Sequence, residues 1–334
     1  MEPWRRPMKL PAGSHLWPKE KGMTDTAIEL MEVTKRFGSL TAIDSLSLRV
    51  ERGEIFGLLG PNGSGKTTTI NMISGLSRPT SGRVSVLGVD MLADPLSIRR
   101  SLGTVPQENA LYEELTAEAN LRFHAALFDV PRKGLEKRIT SLLELAQLQE
   151  RRKSRVSTFS GGMKRRLALV RALLHEPELL YFDEPALGVD VQSRRALWDR
   201  ILELKARGTT VLITTNYLEE ANVLCDRLGI IDRGRLVALD SPSNLRRSFG
   251  DTVLEMRTRP APTEDIVRKV RALPGVVSAA ASNESLKVTV EGGAAVTGKV
   301  VTAVVESTSL EEIQSREPSL DEVFLSLTGK ELRE

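Results

Sequence analysis

The residues most suited to chemistry form a glycine-rich stretch that ends in lysine and threonine, Gly60-Pro61-Asn62-Gly63-Ser64-Gly65-Lys66-Thr67. The spacing fits the phosphate-loop pattern G-x-x-x-x-G-K-[ST], whose glycines let successive backbone N–H groups curl around phosphate oxygens. We expect Lys66 to reach the β- and γ-phosphates of a nucleotide, the Thr67 hydroxyl to bind Mg²⁺, and Thr68 to border the nucleotide. A glycine-rich structural turn is the alternative, but the apolar strand before the stretch and the helix after it favour the phosphate loop.

A pair of carboxylates, Asp183 and Glu184, directly follows the apolar run Leu179-Leu180-Tyr181-Phe182. The run predicts a buried strand that ends in the two acids. We expect Asp183 to contact the nucleotide and its Mg²⁺, and Glu184 to orient and deprotonate an attacking water. Acids at the end of a strand are common, so this interpretation depends on the phosphate loop.

A second glycine-containing turn, Ser160-Gly161-Gly162, precedes a predicted helix whose apolar face comprises Met163, Leu167, Val170 and Leu174. Ser160 can cap this helix, and the glycines leave the N–H groups of its first turn accessible to an anion. The turn therefore predicts a second phosphate-binding helix.

Taken in this order, the motifs resemble those of the ABC family of ATP-binding transporter subunits, over about residues 27–247. In this resemblance Val105-Pro106-Gln107-Glu108 is similar to the family's Q-loop and Gly188-Val189-Asp190 to its D-loop. Phe37 stands where the family places an aromatic ring under adenine. The resemblance implies that Ser160-Gly161-Gly162 completes the ATP site of an opposite subunit, so that two copies enclose two ATP·Mg²⁺.

The resemblance also implies roles for single residues. Glu184, Lys66 and Gln107 are expected to take part in catalysis, and Gln107 also in binding Mg²⁺. For Phe37 an ordinary core aromatic is an alternative. For Gln107 and Asp190 the alternative is an exposed polar residue without a role.

One position departs from the family pattern in a way that affects catalysis. The family usually has a histidine shortly after the third predicted strand, and this chain has Asn216. An amide can donate a hydrogen bond to a γ-phosphate but has no titratable proton. We therefore expect Asn216 to contribute to catalysis with slow but real turnover. Ala186 and Phe159 also replace more usual residues, and we expect both to be tolerated.

The elements that must position these residues alternate between strands and helices. Strands are expected at residues 27–33, 46–50, 54–59, 179–182 and 209–214. Helices are expected at 66–75 and 163–174, with residues 96–150 mostly helical. The alternation predicts a mainly parallel sheet with helices on both faces. With the resemblance, the expected fold class is α/β: a P-loop NTPase ABC nucleotide-binding domain with a helical subdomain.

The pattern changes near residue 250. Strands are expected at 252–258, 276–281, 286–290 and 310–314, with a turn at Asn283-Glu284 between the second and third. Helices are expected at 263–273 and 294–305, and Ser319-Leu320-Asp321-Glu322 is a capping box that begins a last helix. The βαββαβ order predicts a small α+β ferredoxin-like domain over residues 251–334. Its end resembles the C-terminal domain of bacterial drug- and lipid-exporting ATPases of the daunorubicin-exporter type.

Composition sets further bounds. With 40% hydrophobic and 27% charged residues, the chain has the composition of a globular protein. It contains no apolar run long enough to span a bilayer. Residues 1–26 lack the apolar segment of a secretory signal and are expected to be a disordered tail or an upstream extension, with Met23 an alternative start to Met1. The single Cys225 excludes an internal disulfide and a cysteine-rich zinc site.

The chain is mildly basic, with a net charge of +3. Its basic runs, Arg151-Arg152-Lys153-Ser154-Arg155 and Lys164-Arg165-Arg166, are expected to be solvated helix faces, with contact to anionic lipid or a partner as the alternative. No nucleic-acid partner is expected.

Together with the resemblance, these observations predict the ATP-binding and ATP-hydrolysing subunit of an exporter of a drug, lipid or polysaccharide, with ATP and Mg²⁺ as cofactors. It is expected to act as a homodimer on a separate transmembrane permease at the cytoplasmic face of the membrane, with residues 107–114 as the contact. One alternative is a low-turnover ATP-binding regulatory subunit, suggested by Asn216. Another is a soluble ABC ATPase acting on nucleic acid or the ribosome; such proteins generally have two cassettes or a long coiled coil, and this sequence shows neither.

Overall fold

A computed structural model describes residues 25–108, 110–186, 190–249, 252–282, 285–291, 294–316 and 319–329. The chain divides into two compact units, one ending at Leu239 and the other beginning at Asp240. The strands are β1 (Thr26–Phe37), β2 (Leu40–Glu51), β3 (Ile55–Leu59), β4 (Ser81–Val86), β5 (Val89–Asp90), β6 (Leu102–Val105), β7 (Leu179–Asp183), β8 (Thr210–Thr214), β9 (Arg227–Asp232), β10 (Arg235–Asp240), β11 (Thr252–Arg259), β12 (Val276–Ser282), β13 (Ser285–Val290) and β14 (Ser309–Arg316). The helices are α1 (Lys66–Ile73), α2 (Pro95–Ser101), α3 (Ala117–Leu127), α4 (Leu135–Leu145), α5 (Gly161–Leu173), α6 (Val191–Ala206), α7 (Leu218–Leu224), α8 (Pro242–Phe249), α9 (Glu264–Arg271), α10 (Ala294–Val305) and α11 (Leu320–Thr328).

The centre of the first unit is a sheet with the strand order β10-β9-β3-β8-β7-β6. Strands β3 and β8, β3 and β9, β6 and β7, and β7 and β8 pair in parallel. Every residue of β3 and β8 is buried, as expected for parallel strands covered on both faces. The predicted, mainly parallel sheet is confirmed.

The parallel register aligns the strand ends that carry the chemistry. Thr214, the last residue of β8, pairs with Leu58 of β3 on one side and with Asp183 of β7 on the other. The loops that leave β3, β8 and β7 therefore begin side by side. We call this end of the three strands the carboxyl edge.

A second, antiparallel sheet of the same unit has the order β2-β1-β4-β5. It shares an apolar core with β3 and α1, which includes Ile28, Ile43, Leu46, Phe56 and Ile70. This packing brings β2 against the phosphate loop.

Helices α3, α4 and α5 form a helical layer with its own apolar core, which includes Leu121, Ile139, Leu143, Leu167 and Val170. The prediction that residues 96–150 are mostly helical is wrong at Leu102–Val105, which form the edge strand β6. An apolar run this short does not distinguish a strand from a buried helical turn.

The second unit contains an antiparallel sheet with the order β12-β13-β11-β14. The first and third strands of the βαββαβ sequence lie in the middle, so the predicted ferredoxin-like fold is confirmed. The predicted capping box is present, because Ser319 Oγ accepts from Glu322 N at 3.2 Å and Glu322 Oε2 accepts from Ser319 N at 2.9 Å. The predicted turn Asn283-Glu284 lies outside the described residues.

Helix α8 belongs to this second unit. It packs against α11, and its Leu245 is only 3% exposed. In the described part of the chain, no helix is long and apolar enough to cross a membrane.

Candidate active site

The phosphate loop joins β3 to α1 through two glycines in the left-handed region, Gly63 with φ 79° and Gly65 with φ 111°. A side chain at Gly65 would also place its Cβ 2.4 Å from Ile43 Cδ1 of β2. At Gly60 a Cβ would lie 2.2 Å from the backbone oxygen of Ile231. Backbone conformation and close packing therefore both explain the glycines of the motif.

The ammonium of Lys66 lies over the loop from which it projects. Its Nζ donates to Gly60 O at 2.5 Å and to Pro61 O at 3.3 Å. Burial lowers the pKa of Lys66, and the carboxylates of Glu184 and Asp183 partly offset this change. Electrostatic attraction between the ammonium and the two carboxylates is the cause of this offset.

Two hydroxyl groups of this loop are suited to an oxygen-rich ligand. The Ser64 hydroxyl is buried and has no hydrogen-bond partner among the described residues. Thr67 is exposed in the first turn of α1, and Thr68 beside it is half-buried. A loop that presents N–H groups, a lysine and hydroxyls can bind phosphate groups.

Asp183 is held by the neighbouring strand. Its Oδ1 accepts from Thr214 Oγ1 at 2.6 Å, and this hydroxyl also lies 3.3 Å from the Tyr181 hydroxyl. Because Thr214 is the last residue of β8, the contact fixes the carboxylate at the carboxyl edge. The sequence motifs did not single out Thr214, whose role depends on which strands become neighbours.

Glu184 forms a sharp turn directly after β7. Its φ of 43° is left-handed, while its N–H donates to Thr214 O at 2.9 Å and continues the pairing with β8. A non-glycine residue in this region is uncommon and is often found at functional sites. Burial raises the pKa of Glu184, Asp183 raises it further, and Lys66 opposes both. A carboxylate with a raised pKa is a stronger base than an exposed one.

Asn216 contacts this glutamate directly. Its Nδ2 donates to Glu184 Oε1 at 2.8 Å, which is the amide orientation that an ionised carboxylate requires. The Asn216 Oδ1 is buried and has no hydrogen-bond partner among the described residues. The structure thus gives Asn216 a contact that the sequence did not predict, with the proposed base itself.

The remaining candidate residues lie on separate segments. Gln107 follows β6 and is exposed. Phe37 is 53% exposed at the end of β1, so it is not a core aromatic, and the Lys35 ammonium lies 4.8 Å from its ring centroid. Asp190 is exposed and its backbone oxygen accepts from Arg194 N at 2.8 Å; Gly188 and Val189 lie outside the described residues.

The turn at residues 160–162 begins α5 as predicted. Ser160 Oγ accepts from Met163 N at 3.3 Å and caps the helix, and Ser160 and Gly161 are exposed. Across the described residues, no hydrogen bond joins this turn to the phosphate loop. Of the two unusual residues, Phe159 packs into the core of the helical layer and Ala186 is fully buried.

One residue of the predicted solvated run Lys164-Arg165-Arg166 is buried. Arg165 is only 6% exposed, so that prediction is wrong for it. Helical spacing could have predicted the burial of Arg165. It lies three residues before Ala168 and four before Leu169, on the same face of α5, and all three are buried.

Comparisons with known proteins agree with this geometry. Residues 43–187 match the family model for the ABC transporter. Residues 241–328 match the model for the C-terminal domain of DrrA1-3-like ATP-binding proteins.

Full-length relatives are similar over nearly the whole chain. The linearmycin resistance ATP-binding protein LnrL of Bacillus subtilis is 38% identical, over 92% of this chain and 100% of its own length. The daunorubicin resistance ATP-binding protein DrrA3 of Streptomyces coeruleorubidus is 38% identical, over 93% of this chain and 98% of its own length. The Nod factor export ATP-binding protein I of Rhizobium etli is 38% identical, over 94% of this chain and 96% of its own length.

Solved structures of ATP-binding cassettes share the fold of about two thirds of this chain. The ATP-binding subunit of an ABC transporter superposes with a TM-score of 0.62 and 36% identity, over 67% of this chain and 93% of that chain. The dimeric post-hydrolysis state of the cassette MJ0796 with ADP and Pi has a TM-score of 0.58 and 26% identity, over 64% and 98%. The chain therefore belongs to the ABC transporter family of ATP-binding subunits and is an ATPase with a DrrA-like C-terminal domain.

Proposed function

We propose that this ATPase binds ATP with Mg²⁺ at the carboxyl edge, hydrolyses it with Glu184 as general base, and drives a separate transmembrane permease. The observation that carries the proposal is the 2.8 Å contact between Asn216 Nδ2 and Glu184 Oε1, in a site where the charge of Lys66 opposes the rise in the pKa of Glu184. In this proposal Glu184 is the base, Asn216 is the group that orients it, and Lys66 is the cation that binds phosphate. The experiment that tests it is a Mg²⁺-dependent ATPase assay on the parent protein and on Glu184→Gln.

ATP would be held by the phosphate loop and its flanks. The residues proposed to bind it are Phe37, Gly60, Pro61, Asn62, Gly63, Ser64, Gly65, Lys66, Thr67, Thr68 and Asp183. Exposure of Phe37 leaves its ring accessible for stacking on adenine. The buried, unpartnered Ser64 hydroxyl supports a ligand with hydrogen-bonding oxygens.

The residues proposed for Mg²⁺ are Thr67, Gln107 and Asp183. Among the described residues, no three His, Cys, Asp or Glu side chains gather to hold a metal by themselves. A hydroxyl, an amide and a carboxylate supply the oxygen ligands that Mg²⁺ prefers, and this ion commonly completes its shell with phosphate and water. When bound, Mg²⁺ would neutralise charge on the phosphates.

The described side chains suit a hydrolytic step. Glu184 would take the proton of the attacking water, and its raised pKa strengthens it for this task. Asn216 fixes one oxygen of Glu184 and retains a second N–H for a phosphate oxygen and a carbonyl oxygen for the water. Lys66 would stabilise the charge that develops on the phosphate.

Two copies would complete each site. In this proposal Ser160, Gly161 and Gly162 of one subunit contact the ATP held by the other. Ser160 and Gly161 are exposed at the start of α5, which leaves this turn accessible to a partner. The dimeric structures of the similar cassette MJ0796 support the arrangement.

The relatives support an exporter. Their names concern linearmycin resistance, daunorubicin resistance and Nod factor export. We propose that this chain powers export of a drug, lipid or polysaccharide, as a peripheral subunit at the cytoplasmic face of the membrane.

Residues 107–114 are the proposed contact with the permease. Tyr112 is 53% exposed and packs edge-to-face with the 40% exposed Phe123, with ring centroids 4.8 Å apart. An exposed aromatic pair is suited to binding another protein.

The alternative to an ATPase that drives transport is a regulatory subunit that binds ATP with little turnover. A turnover of the parent protein no higher than that of Glu184→Gln, both with and without the permease, would favour this alternative.

Replacing Asn216 by alanine is expected to reduce ATP turnover by roughly 10- to 100-fold, because a hydrogen bond to a charged group contributes about 1.5–3 kcal/mol. Asn216→His should raise turnover or leave it unchanged. Steady-state ATPase assays measure both, and Asn222→Ala, at an exposed position on α7, is the control. Turnover in Asn216→Ala equal to that of the parent would show that Asn216 does not support catalysis.

The structure also suggests where the chain can be shortened. We propose that a chain ending after Asp240 keeps ATP binding, since the first unit contains all the candidate site residues. A chain ending after Gly250 should also bind ATP, but it should melt at a lower temperature than the chain ending after Asp240, or aggregate. It would keep α8 and lack α11, against which α8 packs, so Leu245 would become exposed. Thermal melting and ATP titration of both chains test this. If the chain ending after Gly250 is the more stable of the two, the domain boundary lies where the sequence predicts it, between a domain at 27–247 and a domain at 251–334.

A further inference from the structure

The guanidinium of Arg165 is buried beneath the segment that carries Gln107. Its Nη1 donates to Pro106 O at 2.6 Å and to Gln107 O at 3.4 Å. Both acceptors are backbone oxygens, so the contact fixes the path of the chain and leaves the Gln107 side chain to other partners.

The other nitrogens of the same guanidinium hold the turn after β7. Nη2 donates to Asp183 O at 3.3 Å and to Glu184 O at 3.4 Å, and Nε donates to Pro185 O at 3.2 Å. Arg165 therefore joins two segments that are distant in sequence, each of which carries a proposed catalytic residue.

A buried arginine is costly unless its donors are satisfied. Burial lowers the pKa of Arg165, and the nearby carboxylates of Glu220 and Asp183 oppose this change. The planar guanidinium presents its N–H groups in a fixed fork, so the two segments are tied to one rigid group. Lysine has a single nitrogen and cannot match this geometry.

The turn at Glu184 needs such support. Its left-handed φ of 43° is costly for a residue with a side chain. Thr214 O accepts from its N–H, Arg165 donates to its carbonyl oxygen, and Asn216 donates to its carboxylate. The N–H, the carbonyl oxygen and the carboxylate of Glu184 are thus each held by a hydrogen bond.

We propose that Arg165 is a positioning residue for ATP hydrolysis, which fixes the Gln107 segment and the Glu184 turn relative to each other through their backbone oxygens. It acts through Glu184 and Gln107 and makes no contact with ATP. The inference rests on the proposed roles of those two residues.

The test compares Arg165→Met, Arg165→Lys and the control Arg138→Met in the full chain. Arg138 also donates to a backbone oxygen of the α5 region, Leu174 O at 3.1 Å, and pairs with Glu176 at 2.8 Å. We expect Arg165→Met to lower kcat by roughly 10- to 100-fold, because small misplacements of catalytic groups have effects of this size. The KM for ATP should change by less than about threefold, since the phosphate loop is untouched. Arg165→Lys should recover part of the loss, and Arg138→Met should retain the kcat of the parent.

A double variant with Glu184→Gln separates positioning from general damage. If Arg165 acts through Glu184, Arg165→Met should lower the residual turnover of Glu184→Gln by less than it lowers that of the parent. A full additional loss in that background would overturn the inference. So would a kcat of Arg165→Met within about twofold of the parent, or a parallel loss of ATP affinity.

Melting curves establish that each variant is folded. If Arg165→Met does not fold, Arg165→Lys is judged by the same criteria, alone and with Glu184→Gln. Normal turnover in the Arg165 variants alone overturns this inference and leaves the proposed function intact. Parent-like turnover in Glu184→Gln overturns the proposed base, and the inference with it.

Discussion

Replacing Glu184 by glutamine is expected to lower ATP turnover by roughly 10²- to 10⁴-fold while ATP binding persists. Glutamine keeps the length of the side chain and an oxygen that can still accept from Asn216 Nδ2. It cannot accept the proton of the attacking water, so only this function is removed. Burial and the neighbouring Asp183 raise the pKa of the parent glutamate, which favours proton acceptance.

Phosphate release measures turnover, and equilibrium titration with ATP measures binding. Glu178→Gln is a suitable control, because Glu178 lies just before the opposite end of β7 and pairs with Arg52 at 2.8 Å. It should hydrolyse ATP like the parent. Near-normal hydrolysis by Glu184→Gln would contradict the assignment of the base.

Replacing Lys66 by methionine is expected to weaken ATP binding and to reduce kcat as well. Loss of a hydrogen bond to a charged group costs about 1.5–3 kcal/mol, or roughly 10- to 150-fold in affinity. Loss of a donor that stabilises developing charge costs roughly 10²- to 10³-fold in kcat. The fold should be retained, because methionine keeps an unbranched chain in the half-buried position and removes a partly desolvated charge.

Calorimetric titration with ATP and the ATPase assay at saturating ATP separate the two effects. Lys269→Met, which removes the contact with Glu306 in the second unit, is the control and should bind ATP normally. Unchanged affinity in Lys66→Met would mean that Lys66 does not contact the bound nucleotide.

Local spacing made most of the candidate site predictable. The phosphate loop is continuous in sequence, and the conformations of Gly63 and Gly65 follow from the motif. Asp183 and Glu184 were predictable because a short, apolar strand ends in them. The ferredoxin-like order of the second unit also follows from local patterns, since each of its elements has a regular period.

Contacts between distant segments were harder to predict from the sequence. The hydrogen bond from Asn216 to Glu184 depends on β8 lying next to β7, and no local sequence pattern predicts that pairing. The five backbone oxygens around Arg165 come from two loops brought together only by folding. Arg165 was therefore predicted to lie in a solvated basic run, because that prediction considered the charge of the residue and not its position on the buried face of α5.

The most direct test of the two-subunit site is the molar mass of Glu184→Gln in solution, measured by light scattering with ATP and Mg²⁺. Because this variant should bind ATP without hydrolysing it, we predict twice the mass of the monomer. The same protein with ADP, and the double variant with Lys66→Met, should remain monomeric. A monomer at saturating ATP, with binding confirmed by titration, would contradict the account that residues 160–162 of one copy complete the site of the other.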